Sequence, residues 1–403
     1  MILEARIDKM VGELQAGMNL PLAIELWNGK RYALGERPTV TLRVPAASAI
    51  KYLANADLAS LGEAYVEGHI EVDGPITDAI RAAESLARRL SGDKKGRLPL
   101  LLRNLHSKKN DSAAIRYHYD VSNDFYALWL DERMVYSCAY FRSGDETIGE
   151  AQVQKLDHIC RKLRLKPGDR FLDIGCGWGA LVMHAAERYG VQALGITLSH
   201  NQHAFANERI RAAGLQSRCE VRVQDYRDVP GEGMFDKIAS IGMFEHVGLK
   251  NLPVYFGAIR RLLADGGIVL NHGITSVDPE SRAVGLGAGD FIGKYVFPHG
   301  ELPHLSLVIN EMGAAGLEVM DSETLRLHYA RTLEHWSARL EANLDKAHEF
   351  AGEKRLRIWR TYLAGCAHAF AQGWVSIQQV LAVKTQDPKQ SPLPWTRDYM
   401  YAR

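Results

Sequence analysis

The sequence predicts an α/β protein: a doubly wound parallel sheet preceded by a small N-terminal α+β domain. Three observations predict it. From about residue 112, apolar strand-like runs alternate with amphipathic helical segments, the order that produces crossover helices and a parallel sheet. A glycine-rich turn, Gly175-Cys176-Gly177-Trp178-Gly179, joins one of those strands to its helix. The first 90 residues have a different rhythm, two short alternating runs followed by helices. A length of 403 residues is too much for one typical core, and 46% hydrophobic with 24% charged residues is an ordinary globular composition.

Taken in order, LAIELWNG (22–29) and TVTLRV (39–44) read as strands, with Asn28-Gly29 as a turn between alternating segments. Residues 46–68 read as helix as far as Gly68, and ITDAIRAAESLARRL (76–90) as the closing helix. KLDHICRKLRL (155–165) is amphipathic, and residues 166–190 read as strand, glycine-rich turn and helix. VQALGITLS (191–199) and HNQHAFANERIRAAG (200–214) are the second strand and helix, and CEVRVQDYRD (219–228) the third strand and its loop. FDKIASIGMFEHV (235–247) is a fourth strand running into a helix, and residues 255–275 supply another helix, a turn and a fifth strand. The tail from 328 is mostly helical and ends in a strand, VSIQQVLAVKT (375–385). The expected boundaries are 1–90 for the N-terminal domain, 91–111 for a basic linker and 112–403 for the second domain.

The charges nearly cancel, 49 Lys+Arg against 48 Asp+Glu, so no overall field attracts nucleic acid. Residues 88–109 nevertheless carry eight bases and one acid, a local net of +7 that leaves the remainder at −6. That stretch reads either as a solvated linker or as a contact for an anionic membrane surface, because its bases flank the apolar run LPLLL (98–102). No run approaches the roughly 18 apolar residues that span a bilayer. The N-terminus, MILEARIDKMVGELQ, has early acids and no apolar block, so no secretory leader is expected there. Five scattered cysteines without CxxC or Cys/His metal spacing point to a reduced, cytoplasmic protein without structural zinc.

The glycine-rich turn bears on the cofactor. Glycines there let the backbone approach a ligand, and dinucleotide enzymes use them too. The spacing here is Gly-x-Gly-x-Gly, however, and Asp173 lies within the strand, as in S-adenosylmethionine (SAM) methyltransferases. The tip of the second strand, Thr197-Leu198-Ser199-His200-Asn201-Gln202, lacks the acid that a NAD enzyme places on the ribose. Another group, such as Gln202, must then hold a ribose.

Eight ordered segments resemble the cyclopropane-fatty-acyl-phospholipid synthases, a family that includes the mycolic acid cyclopropane synthases. They are HYDVSNDFY (118–126), YSCAYF (136–141), LDIGCGWG (172–179), GITLSHNQ (195–202), GMFEHVG (242–248), NHGIT (271–275), FIGKYVFPHGELP (291–303) and HYARTLEHW (328–336). The match covers about 118–385, and GEAYVEG (62–68) resembles the extra domain of the longer bacterial members. The resemblance implies a Rossmann-like methyltransferase sheet under a helical lid. It implies transfer of the SAM methyl group to a cis double bond of an acyl chain in membrane phospholipid, at the inner face of the membrane. Closing the ring requires that a carbocation be shielded from water and that a base remove a proton from the new methyl group.

By motif, that base is a bicarbonate ion held by Glu245, His272 and Tyr329 through side chains and by Cys138 and Ile274 through backbone. Imidazole, phenol and backbone N–H groups suit an oxyanion. SAM contacts fall on Tyr136, Ser137, Gly175, Gly177, Thr197, Gln202 and Tyr226, and an acyl pocket on Tyr119, Phe244, Phe291, Tyr295 and Phe297. Taken singly, each of these has an ordinary packing role as its alternative. The alternative functions are a relative that stops at a methyl-branched, methylene or hydroxylated chain, a methyltransferase of small molecules, and a lipid-binding protein with an inactive fold. A homodimer is a further expectation, with the N-terminal domain docking on a second copy.

Overall fold

The computed structural model describes residues 2–17, 19–54, 57–91, 122–282, 284–298, 300–385, 387, 389 and 391–401. Tyr119 and most of the expected linker, with the lysines of its basic run, lie outside the described residues. The chain divides into two compact units, Met1–Leu100 with Val284–Pro298 and Leu340–His368, and Leu101–Ala283 with His299–Arg339 and Ala369–Arg403. The second expected domain is therefore not contiguous.

In the first unit, strands β1 (Leu22–Leu26), β2 (Arg31–Ala33), β3 (Val40–Val44) and β4 (Glu71–Asp73) form one sheet in the order β2-β1-β3-β4. Asn28 and Gly29 turn the chain from β1 into the short antiparallel β2, and β3 runs parallel to β1. The turn thus joins β1 to β2 and not to TVTLRV. Lys30 N–H donates to Asn28 Oδ1 at 3.1 Å, and Gly29 takes the positive φ of 80° that the tight turn requires. The single helix expected over 46–68 is broken. Asp57 caps a new helix, Leu58–Val66, accepting from Ser60 N–H at 2.7 Å, so its side chain replaces a helical partner.

Leu22, Ile24, Val40, Leu42, Tyr65 and Ile76 share one buried core. The two later segments join this unit by packing that linear composition does not reveal. The Phe291 ring fills the space a side chain at Gly62 would need, its atoms 2.8 Å from a Cβ built there. Tyr295 O–H donates to Glu67 at 2.9 Å, and Arg357 pairs with Glu71 at 2.9 Å.

In the second unit, β5 (Arg170–Ile174), β6 (Gln192–Thr197), β7 (Cys219–Val223), β8 (Phe235–Ile241), β9 (Leu263–Ser276), β10 (Glu318–Thr324) and β11 (Val375–Val383) form a sheet in the order β10-β11-β9-β8-β5-β6-β7. β5 to β9 are mutually parallel, as expected of a doubly wound sheet. β11 enters antiparallel between β9 and β10, and all nine of its residues are buried. Side chains alternate between two cores: Phe171, Leu270 and Leu381 join one, Leu172, Val269 and Val380 the other. The helix Ile148–Lys162 covers the first face and begins before the amphipathic run, at a capping box between Thr147 and Glu150. After β8 the expected helix is replaced by two short 3₁₀ turns, Phe244–His246 and Leu249–Asn251, before the helix Leu252–Leu262.

Candidate active site

The C-terminal ends of β5, β6 and β7 meet at one sheet edge, where parallel sheets bind ligands. Gly175 and Cys176 N–H groups both donate to Ile196 C=O, at 2.9 and 3.0 Å, folding the turn back onto β6. Gly175 (φ 81°) and Gly177 (φ 54°) adopt left-handed conformations. A Cβ on Gly177 would meet no atom within 4 Å, so the protein leaves that approach open.

Thr197 donates to the Gln202 side-chain oxygen at 2.7 Å, and both residues are buried. Ser199 caps the helix His200–Ala212 through Gln202 N–H at 3.3 Å. Tyr226 is buried after β7, edge-on to Tyr255 at 5.4 Å, with the Arg227 guanidinium 5.3 Å from its ring centre. These five expected SAM-contact residues therefore stand at the ends of three adjacent strands.

Tyr136 sits in a cluster with Trp129 and Trp336, each at 5.4 Å. Ser137 is held from the covering helix: Lys155 Nζ donates to its hydroxyl at 2.7 Å and Gln152 to its carbonyl at 2.9 Å. Sequence reasoning did not single out Lys155 or Gln152; the available signal was polar side chains on the apolar stripe of a helix. Both are buried, and burial lowers the Lys155 ammonium to about 8. Burial likewise raises the Asp173 carboxyl to about 7, against the pull of Lys155.

The structure brings Glu245, His272 and Ile274 together at the end of β9. Ile274 N–H donates to Glu245 Oε1 at 2.7 Å, and Gly242 N–H donates to His272 C=O at 2.7 Å. Glu245 Oε2 and His272 Nε2 are buried and have no hydrogen-bond partner among the described residues. Burial raises the Glu245 carboxyl from 4.5 to about 7. Burial, then the positive Lys155 and Lys162, hold His272 well below its ordinary range, so its ring is neutral.

Cys138 and Tyr329 converge on one carbonyl. Leu325 C=O accepts from Tyr329 N–H at 3.0 Å and from the Cys138 thiol at 3.8 Å. Leu325 N–H donates to Ile377 C=O at 2.9 Å, and Ile377 stands opposite Ile274 in the β9–β11 ladder. Complete burial pushes the Cys138 thiol far up, which keeps it protonated and unsuited to nucleophilic attack.

The expected acyl-pocket aromatics divide between the units. Phe244 is buried in the second. Phe291, Tyr295 and Phe297 belong to the first, where Phe291 packs on Tyr295 at 5.1 Å and Phe297 on Tyr362 at 5.8 Å. Among the described residues no group of three or more His, Cys, Asp or Glu side chains could hold a metal ion, and no helix is long and apolar enough to cross a membrane.

The strand order and the glycine turn define a SAM-dependent methyltransferase fold. A crystal structure of a mycolic acid cyclopropane synthase complexed with SAH and CTAB superposes with a TM-score of 0.64 at 36% identity, over 67% of this chain and 97% of that one. The family described as mycolic acid cyclopropane synthetase matches residues 106–380, and a domain of unknown function matches residues 11–95. A probable fatty acid methyltransferase of Pseudomonas putida is 51% identical over 388 residues, 95% of this chain and 97% of the relative. The cyclopropane-fatty-acyl-phospholipid synthase of Escherichia coli K12 is 34% identical over 366 residues, 89% of this chain and 92% of the relative. The chain belongs to the mycolic acid cyclopropane synthetase family.

Proposed function

We propose that this protein uses SAM to convert the cis double bond of unsaturated acyl chains in membrane phospholipid into a cyclopropane ring. The observation that supports this most directly is the pair of buried polar atoms without partners, Glu245 Oε2 and His272 Nε2, flanked by the Ile274 N–H. Such groups are costly unless a ligand satisfies them, and an imidazole that can donate beside a carboxylate that can accept from a hydroxyl suits a small protonated oxyanion such as bicarbonate. When bound, SAM supplies an electrophilic methyl group and bicarbonate a base.

The alkene π electrons form the new C–C bond to the methyl carbon while the C–S bond breaks. Loss of one proton from that methyl group then releases the electron pair that closes the ring. Gly175, Gly177, Thr197, Gln202, Tyr226, Tyr136 and Ser137 would hold SAM. Glu245, His272 and the Tyr329 hydroxyl, with the Cys138 and Ile274 backbone, would hold the oxyanion. Phe244 keeps water from the cation. Tyr119, Phe291, Tyr295 and Phe297 remain the proposed contacts of the acyl chain.

A second reading is favoured by the 51% identity to a probable fatty acid methyltransferase. The same cation then loses a proton of the chain and gives a methyl-branched alkene, or a hydride shifts it onto the methyl-bearing carbon and loss of a methyl proton gives a methylene chain. Mass spectrometry and proton NMR of lipids from cells expressing the protein separate the two. Gain of one CH₂ with cyclopropane protons supports the first reading, and gain of one CH₂ with a retained alkene supports the second. No gain overturns both.

The substrate chains would be met at the cytoplasmic face of the membrane by the basic stretch of residues 88–109, with the protein acting as a homodimer. Replacing Lys94, Lys95, Lys108 and Lys109 with Ser should weaken sedimentation with anionic phosphatidylglycerol vesicles. Unchanged binding would make the stretch a linker. A monomer by light scattering would overturn the dimer.

A further inference from the structure

Gln379 is completely buried in β11 and stands directly opposite His272 in the antiparallel ladder with β9. Its side-chain nitrogen lies 3.2 Å from His272 Nδ1. An amide N–H donates, so with the Gln379 side chain in this orientation Nδ1 presents its lone pair. In a neutral ring the remaining proton then sits on Nε2, the ring nitrogen without a partner among the described residues.

We infer that Gln379 is a positioning residue that holds His272 in the Nε2–H tautomer, so that the imidazole donates a hydrogen bond to the oxyanion. The inference rests on the oxyanion reading of the site. The opposite arrangement, Nδ1–H donating to the Gln379 oxygen, would leave a lone pair on Nε2. That lone pair would repel the oxygens of the anion, whose one hydroxyl is left to the Glu245 carboxylate.

The charged and titratable neighbours make the tautomer matter. From the helix Ile148–Lys162, Lys155, Lys162 and His158 disfavour a positive His272, and Glu323 of β10 favours it. Glu323 stands opposite Gln379 in the next ladder and is itself engaged by Lys162 at 2.5 Å and His158 at 2.7 Å. Its negative charge is therefore already matched. His272 stays neutral, and a neutral ring needs a partner that chooses which nitrogen carries the proton. No other hydrogen bond to a His272 ring nitrogen is present among the described residues.

The test is ¹H–¹⁵N NMR of the histidine rings in the full chain at pH 7, with His272→Asn assigning the resonance. Wild type should show Nε2 protonated. Gln379→Met, close in shape but without a donor, should give a mixture of tautomers and lower kcat about tenfold or more, with unchanged SAM affinity. Gln379→Glu should reverse the tautomer, because a carboxylate accepts from Nδ1–H. Wild type with Nδ1 protonated overturns the inference, whether or not the variants fold. A tautomer unchanged in Gln379→Met, or a lost bias with unaltered kcat, overturns it as well. The NMR readout does not depend on turnover. A protein that shows Nε2–H, loses the bias in Gln379→Met and makes no cyclopropane supports the positioning role and counts against the reaction alone.

Discussion

The ring of Phe244 occupies the space a side chain at Gly273 would need: a Cβ built on Gly273 would lie 1.7 Å from it. One residue further along each segment, Ile274 N–H donates to the Glu245 carboxylate at 2.7 Å. The 3₁₀ turn and the strand are thus locked together by a packing contact and a hydrogen bond in succession. A carboxylate after β8 and a backbone donor of β9 meet for that reason.

Gly273→Ala should therefore push Phe244 aside. Overpacking of this kind costs about 1–3 kcal/mol, read as a lower urea midpoint. Methyl transfer should fall further than stability accounts for, because Glu245 moves with Phe244. A variant with unchanged midpoint and activity would mean that the turn adjusts freely.

Glu245→Gln keeps the shape but cannot ionise. Turnover should drop about a hundredfold, within the range for misplacing a proton-transfer group, while calorimetric SAM affinity stays the same. A parallel loss of SAM binding would move Glu245 from the base to the cofactor.

The same substitution has a signature in stability. Burial raises the Glu245 carboxyl from 4.5 to about 7, so the folded protein binds more protons than the unfolded chain across that window. The Glu245 contribution to wild-type stability should then fall as pH rises from about 4.5 to about 7, by roughly 3 kcal/mol. Glu245→Gln escapes this loss. Without ligands it should be more stable than wild type at pH 8, and the difference should shrink toward pH 5. Urea midpoints at both pH values measure it, and a constant difference would contradict the buried ionisation.

Gly177 separates ligand from fold. Its φ of 54° costs an alanine about 1–2 kcal/mol, but no protein atom lies within 4 Å of the added methyl group. Gly177→Ala should fold with a modest drop in melting temperature and lose SAM affinity by tenfold or more in calorimetry. Retained affinity would place the cofactor elsewhere.

Much of this architecture was legible in local chemistry. The alternation of strands and helices after residue 112, the Asn28-Gly29 turn and the Gly175-Cys176-Gly177 turn each act over a few residues, and each formed. The motifs also named Glu245, His272 and Ile274, which the fold brings together. Other features are written locally but masked by the apolar periodicity around them. Asp57, an N-cap residue, ends the long helix expected over 46–68, and Thr147 with Glu150 starts a helix earlier than its apolar stripe suggests.

By itself the sequence determined the periods, the turns and the residue types of the site, because those depend on neighbours a few positions apart. Only the tertiary structure decided that Val375–Val383 enters the sheet antiparallel, that residues 284–298 and 340–368 pack with the N-terminal residues, and that Gln379 faces His272. Those outcomes rest on pairings across tens to hundreds of residues. A strand's own pattern tells which side chains share a face but not which strand lies beside it. The ring nitrogen of His272 that keeps its proton is therefore decided by a glutamine 107 residues away.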